Sequence, residues 1–459
     1  MIRFDSHGWR ARLDEDFNEE SVSRIAEAIG AAWEAVRPGG TAYVGYDARR
    51  GAERLACVAA GILASHGLRV RASQEPLPIP VLGWGVSQDG SAVGGLMLTA
   101  SEAPADYGGI CLRGPDGGPA PEDLTLAIER SINALPLRPA AAFERVDLVG
   151  PYVDDAVGHL VARPLARAPR VVLDPLHGAA GRTADLVLEG IGCEVLPLHE
   201  EPRPDFGGLR PSPREPWTAT CQAEVVSRHA DLGVVLDGDG DRLGVVGDAG
   251  ECVPAHLVEC LVMEHLVRES GMSGAVVVNQ ACSSLVSRQA RRLGCPVRSV
   301  PVGFRRIYEE FGGGGVLMGT EHLGGTAFPW HLRERDAVYV AGLLCALLGT
   351  SGEPLSARLE DLEEKVGRTY FSRRDVRTDV GRCETLRNLL PGVNPRELYG
   401  EEPTRVSHAE GLKVEFGDGS WVMVRTSRTE PVVRVWAEAA SASEADSLVS
   451  TTAAGIAGL

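Results

Sequence analysis

The 459-residue sequence is poor in lysine, in net positive charge and in long apolar runs. Lys365 and Lys413 are the only lysines among 46 lysine and arginine residues. The formal net charge of −17 argues against a nucleic-acid partner, because phosphate backbones are bound by an excess of basic side chains. The longest apolar run, 337–349, is too short to span a bilayer, and residues 1–5 lack the apolar stretch of a signal peptide. We therefore expect a soluble cytoplasmic protein with no membrane partner.

Two common signatures of chemistry are also missing. The ten cysteines include no C-x-x-C pair, so neither a zinc site nor a redox dithiol is indicated. G-x-S-x-G, the signature of a hydrolase serine, does not occur. What the chain does have is 44% hydrophobic residues, enough to form cores. At roughly 100–200 residues per domain, its length corresponds to two to four domains.

One pattern occurs three times: a β-rich run, a helical segment, and a glycine before a second β-rich run. Glycine stands where each helix would end, because it adopts the left-handed C-cap conformation without strain. The helices are predicted near 52–65, 182–189 and 283–293, and the glycines are Gly67, Gly192 and Gly294. The pattern predicts three α/β domains, with repetition inside one large sheet as the alternative.

The C-terminal region has a different pattern. Residues 414–416 and 421–424 flank Gly417-Asp418-Gly419, which predicts a β-hairpin. Ser441-x-x-Glu444 is a capping-box pattern that opens a final helix. These elements predict a smaller α+β domain. The expected domain boundaries are 1–140, 141–248, 249–362 and 363–459.

The strongest chemical signal is Asp237-Gly238-Asp239-Gly240-Asp241-Arg242, directly after the apolar run 232–236. Three carboxylates at alternate positions can surround one hard cation such as Mg²⁺ or Ca²⁺. An EF-hand would need a glutamate at the twelfth loop position, where Asp248 stands. Arg242 would add positive charge suited to a phosphoryl ligand. A solvated acidic turn is the alternative.

Three further segments carry weaker signals when each is taken alone. Arg425-Thr426-Ser427-Arg428-Thr429, with Arg434 beyond it, combines guanidinium groups and hydroxyls that match a phosphate dianion; an exposed arginine-rich loop is the alternative. Ser101, in Thr99-Ala100-Ser101, is either a nucleophile or a turn serine. Glu321, on the glycine-rich segment 319–325, either accepts hydrogen bonds from sugar hydroxyls or belongs to a plain loop.

Together these four segments resemble the alpha-D-phosphohexomutase superfamily, which includes phosphoglucomutase and phosphomannomutase. Gly8-Trp9-Arg10-Ala11 resembles the N-terminal signature of that family, and Gly45-Tyr46-Asp47-Ala48-Arg49 resembles its G-x-D-x-R motif. The segment 319–325 corresponds to the sugar loop of that family, and Val302-Gly303-Phe304 precedes it as the family pattern requires. The resemblance covers nearly the whole chain. It implies an α/β fold of four domains: three related α/β/α units with mixed sheets and a smaller C-terminal α+β domain, around a central cleft.

The resemblance also implies a set of site residues. Ser101 would be the phosphoserine, and Ser101, Asp237, Asp239 and Asp241 would hold Mg²⁺. Arg242 and Arg10 are expected at the reacting groups. Sugar and phosphate contacts would come from Glu321, His322, Arg305, Arg425, Ser427, Thr429 and Arg434. The partner is then a small-molecule phosphosugar, with a hexose bisphosphate as intermediate or activator, and we expect a monomer or a homodimer.

Several positions depart from the family pattern, among them Ala103 and Gly108, which replace asparagines, and four of the departures bear most directly on the chemistry. Glu102 replaces the histidine after the serine, Cys111 replaces a lysine that the family uses in acid/base work, and Leu323 replaces a serine of the sugar loop. Arg305 replaces another lysine but keeps its charge. Glu102, the nearest titratable group to Ser101 in sequence, is the first candidate for a replacement base, and His322 is the second.

These departures leave three hypotheses from different classes. The first is a phosphosugar mutase, with a sugar that can differ from glucose or mannose. The second is a phosphatase or one-way phosphotransferase on the same scaffold, because return of the phosphoryl group needs an acid/base group in both orientations. The third is a non-catalytic phosphosugar-binding protein. The complete aspartate loop argues against the third, since a pure binder has less need of a metal beside a serine.

Overall fold

Four β-sheets follow one another along the chain, and helices pack against each of them. The computed structural model describes residues 2–4, 8–161, 165–427 and 431–458. We call the sheets, with their helices, the first to fourth units. The predicted α/β class, with mixed sheets and a distinct C-terminal unit, is confirmed.

The first unit has a six-stranded sheet in the order β1-β5-β4-β2-β3-β6. Its two central strands, β2 and β4, are buried at every position, as expected for strands covered on both faces. The strands are β1 (Trp9–Arg12), β2 (Thr41–Tyr46), β3 (Arg69–Ser73), β4 (Ala92–Leu98), β5 (Tyr107–Arg113) and β6 (Glu144–Val146). The helices are α1 (Glu19–Val36), α2 (Ala52–Ser65), α3 (Ile79–Ser87) and α4 (Glu122–Ser131).

The second unit has a five-stranded sheet in the order β11-β10-β9-β7-β8. Its strands are β7 (Arg170–Asp174), β8 (Glu194–Pro197), β9 (Leu232–Leu236), β10 (Leu243–Val246) and β11 (Cys252–Val253). Its helices are α5 (Val149–Leu160), α6 (Gly181–Gly190) and α7 (Ala219–Ser227). The buried strand that the apolar run 232–236 predicts is confirmed as β9.

The third unit has the strand order β13-β12-β14-β15. Its strands are β12 (Ala275–Asn279), β13 (Val297–Val300), β14 (Val316–Thr320) and β15 (Thr326–Ala327). Its helices are α8 (Ala255–Glu264), α9 (Ser284–Arg292), α10 (Phe304–Phe311), α11 (Ala337–Ser351) and α12 (Leu355–Val366). Helix α11 contains the longest apolar run, and it is buried from Ala337 to Gly349.

The fourth unit has a fully antiparallel sheet in the order β16-β20-β19-β18-β17. Its strands are β16 (Tyr370–Arg377), β17 (Arg405–Ser407), β18 (Leu412–Glu415), β19 (Trp421–Thr426) and β20 (Val432–Ala439). Its helices are α13 (Val380–Leu389) and α14 (Ala442–Gly458). The predicted hairpin is confirmed as β18 and β19, and the Glu444 amide donates to Ser441 Oγ at the start of the final helix.

The repeated pattern of the sequence corresponds to one topology used three times. The strand orders β5-β4-β2-β3, β10-β9-β7-β8 and β15-β14-β12-β13 are equivalent, each with one antiparallel strand beside three parallel ones. The predicted helix-ending glycines have left-handed backbones, with φ of 74°, 100° and 78° at Gly67, Gly192 and Gly294. The prediction of three related units is confirmed by this shared topology.

No helix among those described is by itself long and apolar enough to cross a membrane. Helices α11 and α12 pass such a test only as a pair, and they are bent by 95° where they meet.

Candidate active site

The same loop in each of the first three units carries the predicted functional residues. It joins the last parallel strand to the antiparallel strand: β4 to β5, β9 to β10 and β14 to β15. Ser101 lies in the first of these loops, the three aspartates in the second and Glu321 in the third. Residues that are far apart in sequence are thus placed at equivalent edges of three sheets, as expected for sites at the carboxyl ends of parallel strands.

The Ser101 loop is held in a strained conformation by a buried arginine. Ser101 has φ of 49°, a left-handed value that costs free energy for a residue with a Cβ. Arg49 donates to the carbonyl oxygens of Ser101, Ala103, Pro104 and Tyr107 at 2.6–3.1 Å. Asp47 pairs with the Arg49 Nε at 3.1 Å. The G-x-D-x-R motif therefore fixes the backbone that presents the serine.

Ser101 is in direct contact with the aspartate loop. Its Oγ donates to Asp237 Oδ2 at 2.8 Å and accepts from Arg242 Nη1 at 3.2 Å. Thr99 Oγ1 donates to Asp239 Oδ2 at 3.0 Å, which ties the two loops a second time. A Cβ at Gly238 would come within 2.8 Å of the Ser101 carbonyl oxygen, so glycine is needed for this approach.

The three aspartates form a compact, buried group of carboxylates. One oxygen of each lies within 4.8 Å of the others. Burial, together with Asp241 and Asp239, raises the pKa of Asp237 well above its usual range, and burial with Asp241 and Asp47 raises the pKa of Asp239 to about 6. Burial opposes ionisation of Asp241 too, but Arg335 and Arg242 outweigh it and lower its pKa. Oδ1 of Asp239 and Oδ1 of Asp241 have no hydrogen-bond partner among the described residues. Unpaired carboxylate oxygens in this arrangement fit a hard divalent cation.

Glu102 lies beside Ser101, and two arginines bind its carboxylate. Arg242 Nη1 donates to Oε1 at 2.7 Å, and Arg214 and Ser212 donate to Oε2. Burial disfavours the charged carboxylate, but Arg242 and Arg214 outweigh it and lower the pKa of Glu102 to about 2. Glu102 is therefore ionised at neutral pH and is a weak proton acceptor. Its contacts orient Arg242 toward Ser101.

Arg335 joins the sugar loop to the aspartate loop. Its guanidinium pairs with Glu321 Oε1 at 3.0 Å, with Asp241 Oδ2 at 2.6 Å and with Glu334 Oε1 at 3.1 Å. The Phe304 ring lies 5.0 Å from the guanidinium carbon. Because the side chain is almost fully buried, it couples the orientation of Glu321 to that of Asp241.

His322 extends the site toward the fourth unit. Its ring meets the Trp436 ring edge-on, with centroids 5.4 Å apart. Burial, with Arg373 and Arg434, lowers the pKa of His322 well below its usual range, so the imidazole is neutral at pH 7. Its Nδ1 is buried and has no hydrogen-bond partner within the described part of the chain.

Three other predicted positions lie around these loops. Arg10 is on β1 opposite Gly109, and its positive charge acts on Asp239 and Cys111. Cys111 is on β5, where burial raises the pKa of its thiol, so it carries no charge in place of the lysine. Arg305 is half-buried in the first turn of α10.

Two of the residues predicted for the phosphate loop lie on the strands beside it: Arg425 is on β19 and Arg434 is on β20. Arg425 Nε donates to Glu410 Oε1 at 2.7 Å, and Arg434 Nε lies 3.7 Å from Asp375 Oδ2. Ser427 is buried, and its backbone amide donates to the Val432 carbonyl at 2.8 Å. Thr429 lies outside the described residues. Arg425 and Arg434 thus each lie beside an acidic side chain of the fourth unit.

Sequence reasoning did not identify Arg335, Arg214 and Ser212 as site residues. Arg335 belongs to the charged run Arg333-Glu334-Arg335-Asp336, which directly precedes the longest apolar run of the chain. A charged run next to a buried helix is a signal that could have drawn attention to it. Arg214 and Ser212 lie in a proline-rich loop that carries no such signal.

Family models match the chain in order from end to end. The matches are to the phosphoglucomutase/phosphomannomutase models for alpha/beta/alpha domain I over residues 1–138, domain II over 151–250, domain III over 257–366 and the C-terminal domain over 389–454. The chain belongs to the phosphoglucomutase/phosphomannomutase family. The superfamily resemblance is thereby confirmed.

Individual relatives in this family match over nearly their whole length. A phosphoglucosamine mutase from Frankia alni is 31% identical, with 98% of this chain and 96% of the relative covered. A phosphoglucomutase/phosphomannomutase from Thermococcus kodakarensis is 27% identical, with 96% and 95% covered. The crystal structure of a protein described as a phosphomannomutase from Thermus thermophilus has a TM-score of 0.86 at 30% identity, with 98% and 97% covered. The relatives are named as mutases of phosphorylated sugars, so the predicted enzyme class, intramolecular phosphotransferase, is confirmed at the level of the family.

Proposed function

We propose that the protein is a mutase that moves a phosphoryl group between the 1- and 6-type positions of a hexose phosphate. Ser101 is the proposed acceptor and donor, and turnover passes through a hexose bisphosphate. The observation that carries this proposal is the contact of Ser101 Oγ with Asp237 and Arg242, at 2.8 and 3.2 Å. Phosphoryl transfer depends mainly on alignment and on neutralisation of charge, and both are features of this contact.

Asp237, Asp239 and Asp241, with Ser101, are proposed to hold one Mg²⁺. The oxygens of Asp239 and Asp241 that lack hydrogen-bond partners among the described residues support this assignment, because hard cations select carboxylate oxygens. When bound, the ion would supply positive charge beside the phosphoryl group. Arg242 already donates to Ser101 Oγ, so its guanidinium is placed to donate to a phosphoryl oxygen carried there.

The remaining predicted residues are proposed to bind the sugar phosphate. Glu321 would accept hydrogen bonds from sugar hydroxyls, in an orientation held by Arg335. The phosphate that is not reacting would be bound in the fourth unit by Arg425, Ser427, Thr429 and Arg434. One binding site for that phosphate would serve both orientations of the bisphosphate. Arg10 and Arg305 would add positive charge at the edges of the cleft.

The proton-transfer group is proposed to be His322 rather than Glu102. A carboxyl group with a pKa of about 2 has little affinity for the proton of a hydroxyl. His322 is favoured by its unpartnered buried nitrogen, but in the free protein burial and the nearby arginines weaken it as a base. A bound phosphate dianion would offset those arginines and raise the pKa of the imidazole, so the proposed role depends on bound substrate.

The sugar is proposed to differ from glucose or mannose at the hydroxyls that the sugar loop contacts. Leu323 replaces the serine of the family pattern, which removes one hydroxyl donor and acceptor. The relatives named above include both a phosphoglucosamine mutase and a phosphoglucomutase/phosphomannomutase, so the family accommodates different sugars on this scaffold. Glucosamine phosphate is therefore a suitable first alternative to test.

The cytoplasm is the proposed location. All ten cysteines are free thiols, which supports a reducing compartment.

Peptide mapping of Ser101 tests the proposal. Wild type and Ser101→Ala are incubated with Mg²⁺ and a hexose 1,6-bisphosphate, and phosphate is located by mass spectrometry. We expect phosphate on Ser101 in wild type alone, and interconversion of the 1- and 6-phosphates of at least one hexose. Release of inorganic phosphate without isomerised product would favour the phosphatase alternative. Absence of phosphate at Ser101 with every bisphosphate tested would contradict both.

A further inference from the structure

A second cluster of metal-binding residue types shares no residue with the three aspartates. Asp155 and His159 are four residues apart on α5, so their side chains emerge on one face of the helix. His331, from the segment between β15 and α11, completes the cluster: one ligand-type atom of each of the three residues lies within 4.8 Å of the other two. None of these residues belongs to the aspartate loop. Two imidazoles and one carboxylate form a donor set typical of Zn²⁺ and related divalent ions.

His331 has one ring nitrogen that is left without a partner. Its side chain is completely buried, and Nε2 lies 3.0 Å from Asp336 Oδ2. The Nδ1 atom has no hydrogen-bond partner among the described residues. A carboxylate oxygen accepts, so the contact with Asp336 calls for an N–H on Nε2, and in the tautomer with that single proton Nδ1 carries the lone pair. A buried lone pair without a donor costs free energy, and a bound cation would remove that cost.

Residues around the cluster orient its potential ligands. Trp84 Nε1 donates to Asp155 Oδ2 at 3.0 Å. Tyr152 OH donates to Asp336 Oδ2 at 2.8 Å, and the Tyr339 ring stacks on His331 with centroids 3.8 Å apart. Metal-bound histidines commonly donate their other ring N–H to a carboxylate, which is the contact that His331 makes with Asp336. The surroundings of a metal ligand are thus already present.

The cluster is accessible from one side. The Asp155 side chain is 33% exposed and the His159 side chain 53% exposed, while His331 is at the bottom. A metal ion can reach the three ligands from solvent, and water can complete its coordination. We propose that Asp155, His159 and His331 bind one divalent transition-metal ion of the Zn²⁺ class, which links helix α5 of the second unit to the segment before α11 in the third unit.

Zn²⁺ binding to the purified full-length protein tests this proposal. The protein is stripped with a chelator, supplied with excess Mg²⁺ to occupy the aspartate loop, and titrated with Zn²⁺ against a chromophoric competitor. The variants are His159→Ala and Asp155→Asn. His229→Asn is the matched control, because it removes another exposed histidine of the second unit at a left-handed position that asparagine tolerates.

We expect wild type and His229→Asn to bind one Zn²⁺ per chain with equal affinity. Each cluster variant should weaken that binding at least tenfold and should abolish the rise in Tm that Zn²⁺ causes in wild type. His159 is largely exposed, so its variant is expected to fold, which circular dichroism without metal verifies. Equal Zn²⁺ affinity in wild type and His159→Ala, or no Zn²⁺ binding by wild type, would overturn the proposal.

Anomalous diffraction at the zinc edge gives an independent readout. Crystals soaked in Zn²⁺ with Mg²⁺ present should show a peak between the three side chains. A peak at the aspartate loop alone would refute the second site. Neither outcome depends on enzymatic activity, so this inference can fail while the proposed mutase function stands, and the reverse also holds.

Discussion

At the scale of single residues, Glu102 determines the charge and the geometry beside Ser101. Both of its carboxylate oxygens accept hydrogen bonds from basic side chains, and its own backbone carbonyl accepts from Arg210 Nε at 3.0 Å. Both carboxylate oxygens of Glu102 are therefore engaged by arginines. We infer from these contacts that Glu102 positions Arg242 and changes the charge balance of the loop, rather than acting as the base.

The substitution Glu102→Gln distinguishes a role of Glu102 in positioning Arg242 from a role as general base. If Glu102 positions Arg242, kcat should fall about 10- to 150-fold, because a charge-assisted hydrogen bond is worth roughly 1.5–3 kcal/mol. The shape of the pH profile of kcat between pH 5 and 9 should stay unchanged, since a group with a pKa of about 2 does not titrate there. Steady-state kinetics across pH checks this. Loss of the acidic limb in the variant would instead assign Glu102 as the general base.

Asp239→Asn should have opposite effects with and without metal. Burial and its carboxylate neighbours raise the pKa of Asp239 to about 6, so at pH 7 its ionised form destabilises the metal-free fold. We expect the metal-free variant to be more stable than wild type by roughly 1–3 kcal/mol, and the Mg²⁺-dependent increase in Tm to disappear.

Thermal unfolding of the Asp239 variant with and without Mg²⁺ checks both effects. Asp16→Asn, on an exposed turn, is the control and should behave as wild type. An Asp239 variant that retained the full Mg²⁺ response would exclude Asp239 as a ligand.

At the scale of elements, the loop after β4 depends on an arginine in a different loop. Arg49 follows β2, and its four carbonyl contacts hold residues 101–107 in place. Phe206, from the second unit, covers the guanidinium at 4.9 Å. The strained backbone at Ser101 is thus maintained by the contacts of Arg49, and not by β4 and β5, the strands on either side of the loop.

Arg49→Gln should release this loop. We expect a loss of stability of about 3–5 kcal/mol, since Asp47 would remain buried without its charge partner. Hydrogen exchange of the 99–107 segment should accelerate. The neighbouring Arg50→Gln is the matched control, because Arg50 pairs with Asp14 in a largely exposed contact and should change little. Equal protection of the segment in both variants would contradict the role of Arg49.

Glu259 is a buried carboxyl group that contacts the start of the sugar loop. Glu259, on α8, accepts from Thr320 Oγ1 at 2.5 Å, at the end of β14. Burial, opposed by the Thr320 hydrogen bond and assisted by Glu321, raises the pKa of Glu259 to about 8. When the pKa of a carboxyl group is higher in the folded than in the unfolded state, its contribution to stability is fully present at pH values below the unfolded-state pKa. That stability is lost as the pH rises from about 4.5 to about 8.

Glu259→Gln should remove this pH dependence, because the amide is neutral at every pH and retains an acceptor for Thr320. The stability of the variant relative to wild type should therefore increase from pH 5 to pH 8 and level off above pH 8. Denaturant unfolding at several pH values measures the difference. A difference that stayed constant with pH would show that Glu259 is ionised in the folded protein.

At the scale of the whole molecule, the hydrophobic cores do not follow the four sheets one by one. The largest core includes buried residues of the first three units, such as Leu82 of α3, Leu236 of β9 and Leu344 of α11. The fourth unit has its own core, which extends from Cys383 to Ile456. A small cluster that includes Ala281 and Trp421 joins the third unit to the fourth. Most of the apolar contact that stabilises the fourth unit is therefore internal to it.

This division predicts two thermal transitions. The fourth unit should unfold first, because it has the smaller core, and a hexose 1,6-bisphosphate should raise that transition by binding between the units. Differential scanning calorimetry of the full chain measures both. A chain ending at Gly367 should retain only the upper transition. A single two-state transition of the full chain would contradict the division.

The sequence by itself determined the local features of this protein. The glycines that end helices, the buried strand before Asp237 and the hairpin around Asp418 follow from backbone preferences and apolar patterning within short segments. The four chemical motifs are also local, and their order along the chain was enough to indicate the family. Each of these features depends on residues that are close in sequence.

The tertiary structure alone decided which groups touch. The contact between Ser101 and Asp237 joins residues 136 positions apart, and Arg335 meets Asp241 and Glu321 from a segment with no motif of its own. Arg214 changes the chemistry of Glu102 from another unit, and His331 meets α5 only because the units pack together. Such contacts depend on how sheets and helices are oriented in space, and the pKa values depend on the burial that results. Local sequence patterns predict neither the orientation of the sheets and helices nor the burial of these groups.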